Sequence, residues 1–437
     1  MNITVIGAGY VGLMAAVCFA CGGHQAICLE KDVDRCEKLS SGQCPILEKD
    51  LPQMLSYALD SKRIYFTTCP DEAIPSAEII FITVGTPSDR IGNADLSALF
   101  TAVSEIVKFS QDSKAVVIKS SVPPGTTEIV RNKILNISMC EKDANGLHVI
   151  CNPEFLREGS AVDDFLSPDR IVVGADDRAA GNMLFSLYRP LLRTPAPEIY
   201  TSPLNAELIK YASNSYLAVR LSFVNELAGL CERIGGNVSE VTSAMGLDHR
   251  IGKEYLSAGL GYGGACLPKD TLALAHTARE ACAPLTVLES AIAANFSIAH
   301  RLAGRVVDRI APEGTIAVWG LSFKAGTEDI RNSPVLSLMT EIAKHIDCHF
   351  RVFDPAAIEF TDSYPRELRL LLCRTLEEAT LEADALIIGT AWPQFRELNL
   401  NSLLQHMRGR DIFDFVNTLD RAKVRQSGLE YHTCGEI

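Results

Sequence analysis

The order of apolar runs predicts an α/β protein: two doubly wound, parallel-sheet domains joined by a helical connector built on one long central helix. Three observations carry this. Short apolar runs that end in glycine or polar residues alternate with helical patterns over roughly the first 200 residues. A Leu- and Ala-rich stretch without proline, Asn205 to Ile234, then breaks the alternation. The alternation resumes at Thr315. Strands that alternate with helices imply parallel pairing, because each crossover helix must pack back onto the sheet.

In chain order, Ile3-Thr-Val-Ile-Gly7 reads as a buried strand, Val11 to Gly22 as a helix, and Ala26 to Glu30 as a second strand. Ile79 to Thr83, Ala115 to Lys119 and His148 to Cys151 continue the sheet. The Pro-rich stretch Pro190 to Pro203 marks a boundary. Helical patterns run from there to about residue 310, and Thr315 to Gly320, Cys348 to Phe353 and Ala385 to Gly389 start a second sheet. The expected division is 1–200, 201–305 and 306–437, three units of ordinary domain size.

Composition limits the partners. The 437 residues are 47% hydrophobic and 22% charged, ordinary for a globular chain. With 41 basic against 54 acidic residues, the formal charge is -13. So acidic a chain repels phosphate backbones, which argues against nucleic acid and anionic membrane as partners. No apolar run approaches the roughly 20 residues that span a bilayer. The start of the chain carries no basic, export-type leader, so the expected compartment is a reducing cytoplasm, with the 14 cysteines as thiols.

Gly7-Ala8-Gly9-Tyr10-Val11-Gly12 matches G-x-G-x-x-G where a strand passes into a helix, and Glu30 closes the next strand. Gly7 permits the tight turn, Gly9 lets a pyrophosphate approach, and Gly12 lets helix pack on strand. Amide groups at the helix start bind phosphate. Glu30 would hold the ribose hydroxyls and repel a 2′-phosphate, so NAD is expected rather than NADP, on a Rossmann-like domain.

Three pairs at helical spacing follow. Asn152-Pro153-Glu154-Phe155-Leu156-Arg157-Glu158-Gly159 starts like a capped helix, with Glu154 and Glu158 on one face; two solvated glutamates are the plainer alternative. Lys210 and Asn214 stand four apart among apolar neighbours, as a buried cation or as a snorkelling lysine beside a surface asparagine. Four glycines precede Cys266, and a helical pattern opens just after it. A thiol at such a terminus gains thiolate character, with Asp270 one turn on; a buried structural cysteine is the alternative. Cys18-x-x-Cys21 falls at core positions of the first helix, and no spacing of cysteines or histidines supplies a metal site.

Together, Gly7 to Gly12, Ser120-Ser-Val-Pro-Pro-Gly-Thr126, Asn152 to Gly159, and Gly261-Tyr-Gly-Gly-Ala-Cys-Leu-Pro-Lys-Asp270 resemble the UDP-glucose/GDP-mannose dehydrogenase family. Phe323-Lys324 and Asp329 to Pro334 carry the likeness into the last third. The resemblance implies a four-electron, NAD-linked oxidation of a primary alcohol on a UDP-sugar to a carboxylate. It also implies a homodimer paired through the central helix. The segments Ser160 to Gly174 and Arg250-Ile251-Gly252 favour the branch that acts on UDP-glucose, over UDP-N-acetylglucosamine, UDP-N-acetylmannosamine or GDP-mannose.

Carried over by motif, Gly7, Gly9, Tyr10, Val11, Gly12, Glu30, Arg35, Thr86, Ser121, Glu158, Lys269 and Arg331 would meet NAD. Glu154, Phe155, Leu156, Arg157, Glu158, Lys210, Asn214, Tyr255, Leu256, Ser257, Ala258, Gly259, Gly263, Phe323 and Lys324 would meet the nucleotide sugar, and Arg250 would reach a partner's site. Cys266 would be the nucleophile, with Lys210, Asn214, Asp270, Glu154 and Ser121 as the other catalytic residues. Four places depart from the family: Ser121 stands for a usual threonine, Ala265 for a common serine, Leu47-Glu48-Lys49-Asp50-Leu51 where Glu-Pro-Gly-Leu is often found, and Val416 where an arginine commonly precedes Asn417.

Overall fold

A computed structural model describes residues 1–89, 91–140, 146–356, 364–397 and 400–436. Two sheets organise the chain. The first contains β1 (Asn2–Ile6), β2 (Gln25–Leu29), β3 (Ile64–Thr67), β4 (Ile79–Ile82), β5 (Lys114–Ile118), β6 (Leu147–Cys151), β7 (Ile171–Gly174) and β8 (Glu198–Thr201). Its order is β3-β2-β1-β4-β5-β6-β7-β8, parallel except where β7 meets β6. The second contains β9 (Gly314–Trp319), β10 (Cys348–Phe353), β11 (Leu370–Leu372), β12 (Ala385–Ile388), β13 (Asp411–Asp414) and β14 (Glu430–Thr433), in the order β11-β10-β9-β12-β13-β14. Each sheet thus repeats the 3-2-1-4-5-6 order of doubly wound dinucleotide folds, with a switch point beside its first strand.

These are two parallel-sheet α/β domains joined by a long helix, Pro203–Ile234. By packing, the chain forms two compact units: Met1–Ser213 with Leu272–Cys282, and Asn214–Thr271 with Ala283–Ile437. The long helix belongs in part to each. Pro203 sits in its first turn, where a missing amide costs nothing, and from Leu204 to Ala228 no proline or glycine interrupts it, so 32 residues run unbroken.

The first sheet is buried on both faces. One face carries Val5, Phe81 and Val117 against the first helix, Tyr10–Cys21; the other carries Ile80, Ile82 and Val116 against the helices Ser97–Phe109 and Thr126–Cys140. From Gly12 to Ala20 every residue of the first helix is buried, so Cys18 is a core thiol and burial raises its pKa. In the second sheet Ile316, Val318 and Ile387 face one apolar cluster and Ala317, Trp319 and Leu386 the other.

Six strands escaped the sequence reading. β3 is four residues with one exposed, β8 is half-exposed throughout, and β11 is a three-residue edge. Such short, partly wet strands lack a continuous apolar signal. β8 also lies inside the Pro-rich stretch taken as a boundary, so the first sheet uses part of it.

Candidate active site

Within the first unit, the turn after β1 has the geometry a dinucleotide needs. Gly7 sits at φ 98°, in the left-handed region. A side chain at Gly12 would lie 1.8 Å from the carbonyl oxygen of Gly7, so only glycine allows this helix–strand approach. A Cβ on Gly9 would meet nothing within 4 Å, which leaves its face open to a phosphate. No side chain caps the helix start at Gly9, so its first amide groups stay available. Glu30 immediately follows β2, is 6% exposed, and accepts the amides of Ala8 (2.8 Å) and Asp32 (3.0 Å). It is therefore held at the rim of the same turn, where a ribose follows the pyrophosphate. The donor set fits NAD.

Neighbouring motif residues are held by two buried carboxylates, Glu48 and Glu207. Glu48 is 4% exposed and accepts the Tyr10 hydroxyl and the amides of Gly159 (2.8 Å) and Ala161 (2.9 Å). It ties the glycine turn to the segment that carries Glu158. Glu207, on the long helix, accepts the amides of Gly125 (2.6 Å) and Thr127 (2.7 Å) and the Thr127 hydroxyl. It thereby anchors the Ser120–Thr126 motif, where the Ser121 carbonyl accepts the Thr86 hydroxyl at 2.7 Å. Glu207 had no sequence signal beyond an acidic residue beside apolar ones, and Glu48 only its place in a departing motif.

One expectation is overturned here. Residues 152–157 form no helix, and the next helix begins at Ala161. Asn152 caps nothing. Its buried amide donates to the Val172 carbonyl, and its oxygen accepts from Lys119 and Tyr188. Long-range hydrogen bonds fix the segment as an extended turn, and Glu154 and Glu158 do not share a helical face. Glu154 instead pairs with Lys210 at 2.7 Å, with side-chain exposures of 5% and 4%. Burial alone would raise the Glu154 carboxyl, but Lys210, the Leu156 amide and Lys119 outweigh it and hold it below its ordinary value. The Lys210 ammonium lies 5.5 Å from the centre of the Phe155 ring, and the Arg170 guanidinium lies 3.6 Å from it.

Lys119 is a second buried cation, bonded only to neutral acceptors: Asn152 at 3.2 Å and Tyr188 at 3.1 Å. Burial, helped by the charge of Lys210 and opposed by Glu154 and Cys151, lowers its pKa to about 8. An unfolded lysine keeps its proton to about pH 10.4. Between about pH 8 and 10.4 the unfolded chain holds the extra proton, so this residue's contribution to stability rises with pH across that window. Lys119→Met removes that rise, about 3 kcal/mol. Urea unfolding of both proteins from pH 7 to 10.5 checks it: the parent's stability minus the variant's must rise from about pH 8, and parallel profiles refute it.

In the second unit, Cys266 immediately precedes the helix Leu267–Glu280 and is exposed. The expected helix-terminal thiol is in place, and a sealed structural cysteine is not. The Asp270 amide donates to the Cys266 carbonyl at 2.9 Å, closing the first turn. Asp270 itself is fully buried, accepting the Asn214 amide at 2.7 Å and the Lys269 ammonium at 2.6 Å. Thus Asn214, Lys269 and Asp270 form one hydrogen-bonded group directly beneath the turn that carries Cys266. Lys210 stands one turn before Asn214 on the long helix.

Packing also requires two of the glycines ahead of Cys266. A side chain at Gly263 would lie 2.3 Å from the Asn332 carbonyl, and Gly264, at φ 79°, abuts the Phe323 ring. They admit the loops of the second sheet. Gly259 donates to Asn225 at 2.9 Å, which pins the stretch Tyr255 to Gly259; there Leu256 and Ala258 are buried and Ser257 is exposed. Phe323 and Lys324 lie in the loop after β9, at that sheet's switch point. Buried Asp354 fixes this loop through the amides of Leu321 (2.7 Å) and Ser322 (2.9 Å). Arg331, Arg250 and Arg157 are exposed and paired with Asp329, Asp248 and Asp164. Arg35 takes its place at the start of its helix, where its amide donates to Asp32. Val416 packs against both apolar clusters of the second sheet, so no cation occupies that position.

A glycine turn with a ribose-side glutamate, on a doubly wound sheet, defines an NAD-dependent oxidoreductase domain. Comparison with known proteins assigns the rest. The NAD-binding, central and UDP-binding domain models of the UDP-glucose/GDP-mannose dehydrogenase family match residues 1–192, 204–297 and 317–421. The chain is 40% identical over 444 residues to UDP-glucose 6-dehydrogenase of Rhizobium meliloti (strain 1021), covering 100% of this chain and 99% of that one. A UDP-glucose dehydrogenase structure from Pyrobaculum islandicum superposes with a TM-score of 0.87 at 32% identity, covering 100% and 98%. A UDP-D-ManNAc dehydrogenase structure from Pyrococcus horikoshii gives 0.87 at 27%, covering 100% and 99%. The chain belongs to the UDP-glucose/GDP-mannose dehydrogenase family and is an NAD-dependent nucleotide-sugar dehydrogenase.

Proposed function

We propose that this enzyme oxidises the C6 alcohol of UDP-glucose to the carboxylate of UDP-glucuronate, reducing two NAD per turnover, through a covalent adduct on Cys266. The observation that carries the proposal is the exposed Cys266 thiol at a helix start, one turn ahead of a buried Asp270 group. The names of the Rhizobium and Pyrobaculum relatives support the choice of sugar. A cytoplasmic homodimer paired through the long helix, three functional segments (1–200, 201–305, 306–437) and a place in polysaccharide biosynthesis complete the reading. The contacts assigned above by motif to NAD and to the sugar nucleotide belong to it as well.

Bound NAD supplies the hydride acceptor for both oxidations. The residues do the rest. In the first oxidation the C6 hydroxyl loses its proton to Glu154 or Asp270, and the Lys210 ammonium stabilises the developing alkoxide. The Cys266 thiolate then adds to the aldehyde carbon, forming a C–S bond, and the Lys210 ammonium and Asn214 amide hold the oxyanion. The second oxidation leaves a thioester. Water, deprotonated by Glu154 or Asp270, cleaves the C–S bond, returning the thiolate and releasing the carboxylate. The Ser121 hydroxyl adds a further donor. Because both Asp270 oxygens are already engaged by Asn214 and Lys269, Asp270 also orients the Asn214 amide.

The test is a substrate panel. Purified enzyme with NAD and UDP-glucose is expected to form two NADH per UDP-glucuronate, read by absorbance and by product chromatography. UDP-N-acetylglucosamine, UDP-N-acetylmannosamine and GDP-mannose should turn over at least about tenfold more slowly, since an added acyl group or a changed base leaves buried polar groups unpaired. Turnover with another sugar but not with UDP-glucose rejects the proposed substrate.

A further inference from the structure

We propose that His300, Glu341 and His345 bind one divalent transition-metal ion of the zinc class, and that the ion clips two helices of the second domain together. His300 lies on the helix Thr286–Val307, Glu341 in the last turn of the helix Pro334–Ala343, and His345 just beyond it. Among the described residues this is the one group of three histidine, cysteine or acidic side chains whose ligand atoms all fall within 4.8 Å of one another.

The division of labour around the carboxylate favours a metal. Oε1 of Glu341 faces Nδ1 of His300 at 2.9 Å and Nε2 of His345 at 3.7 Å. Oε2 faces the Lys344 ammonium at 2.6 Å. One oxygen is therefore neutralised and held still while the other points at two imidazole nitrogens. A zinc ion sits about 2.0–2.2 Å from nitrogen and carboxylate oxygen, which needs donor atoms a little over 3 Å apart in a tetrahedron. The three atoms already bracket that spacing, and the exposed rings of His300 (72%) and His345 (45%) can rotate to meet it. Two nitrogens and one oxygen select zinc, nickel or copper ions over magnesium and calcium, which prefer oxygen alone. Water would complete the shell. The carboxyl end of the Pro334–Ala343 helix adds negative potential for a cation.

The consequence is structural. Both helices pack on one face of the second sheet, through Leu302, Val306, Leu338 and Met339. A shared ion would join the solvent-facing side of the first helix to the end of the second. The sequence spacing hides the site, because His300 stands 41 residues before Glu341.

The experiment uses the full-length enzyme, freed of metal with EDTA and then titrated with cobalt(II) and zinc chloride. The expected result is one equivalent bound, cobalt absorption without a thiolate charge-transfer band, and a Tm raised by zinc. His300→Ala and His345→Ala should each lose the binding and the rise at concentrations that saturate the parent, while keeping the parent's Tm in EDTA. His345→Gln serves should an alanine fold poorly. No binding, a thiolate band, or binding that survives in the double variant would overturn the proposal. An adverse result here leaves the substrate assignment untouched, because NADH formation is not the readout.

Discussion

Cys266→Ala is expected to abolish carboxylate formation and to cut NADH production by at least about 10³-fold. The argument is chemical before it is structural. A free aldehyde has no leaving hydride until a nucleophile converts its carbon to a tetrahedral adduct, and a thiolate is the strongest such group on this chain. Its position serves that use: the residue is exposed, precedes a 14-residue helix, and sits above a fully buried aspartate that organises an asparagine and a lysine. Cys266→Ser gives a sharper result. Its hydroxyl can form an ester, but an alkoxide leaves far less readily than a thiolate, so turnover should stall after a single burst of NADH. Rapid-mixing absorbance, with mass spectrometry of the stalled protein, reads the burst and the added sugar nucleotide. Parent-like acid production in either variant would end the covalent mechanism.

Lys210→Met carries the largest expected effect on stability. It strands Glu154 as a buried carboxylate, with only the Leu156 amide and the more distant Lys119 to offset its charge. Breaking one side of a buried ion pair costs about 3–5 kcal/mol. The double variant Lys210→Met/Glu154→Gln removes the stranded charge and should recover most of that loss in urea unfolding. Neither protein should regain NADH formation. That combination separates folding from chemistry: full stability with no activity marks the pair as functional, whereas activity returning with stability would reduce the pair to a structural role.

The candidate site was legible where chemistry obeys local spacing. Gly7, Gly9 and Gly12 are dictated by one turn, and Glu30 by the length of one strand–helix–strand unit. Cys266 and Asp270 follow from a glycine run passing into a helix. It was illegible where distant chain segments meet. The pairing of Glu154 with Lys210, 56 residues apart, was read as two separate helical motifs. The same distance separates Asn214 from Asp270. Asn152 looked like a helix cap because its neighbours had the right composition, but Lys119, Tyr188 and Val172 compete for its amide from three other elements. Glu207 carried no motif and Glu48 only a place in a departing one, and what matters in each is the set of amides it accepts.

The amino-acid order alone therefore determined the two doubly wound sheets, the long helix and the chemistry offered at each turn. Apolar periodicity, glycine and capping chemistry act over a few residues, so they can be read in place. Tertiary structure decided which charges are buried, which carboxylate faces which cation, and which glycines serve packing instead of ligand approach. Those outcomes depend on contacts between segments far apart in the chain, and on the desolvation that only a closed core imposes.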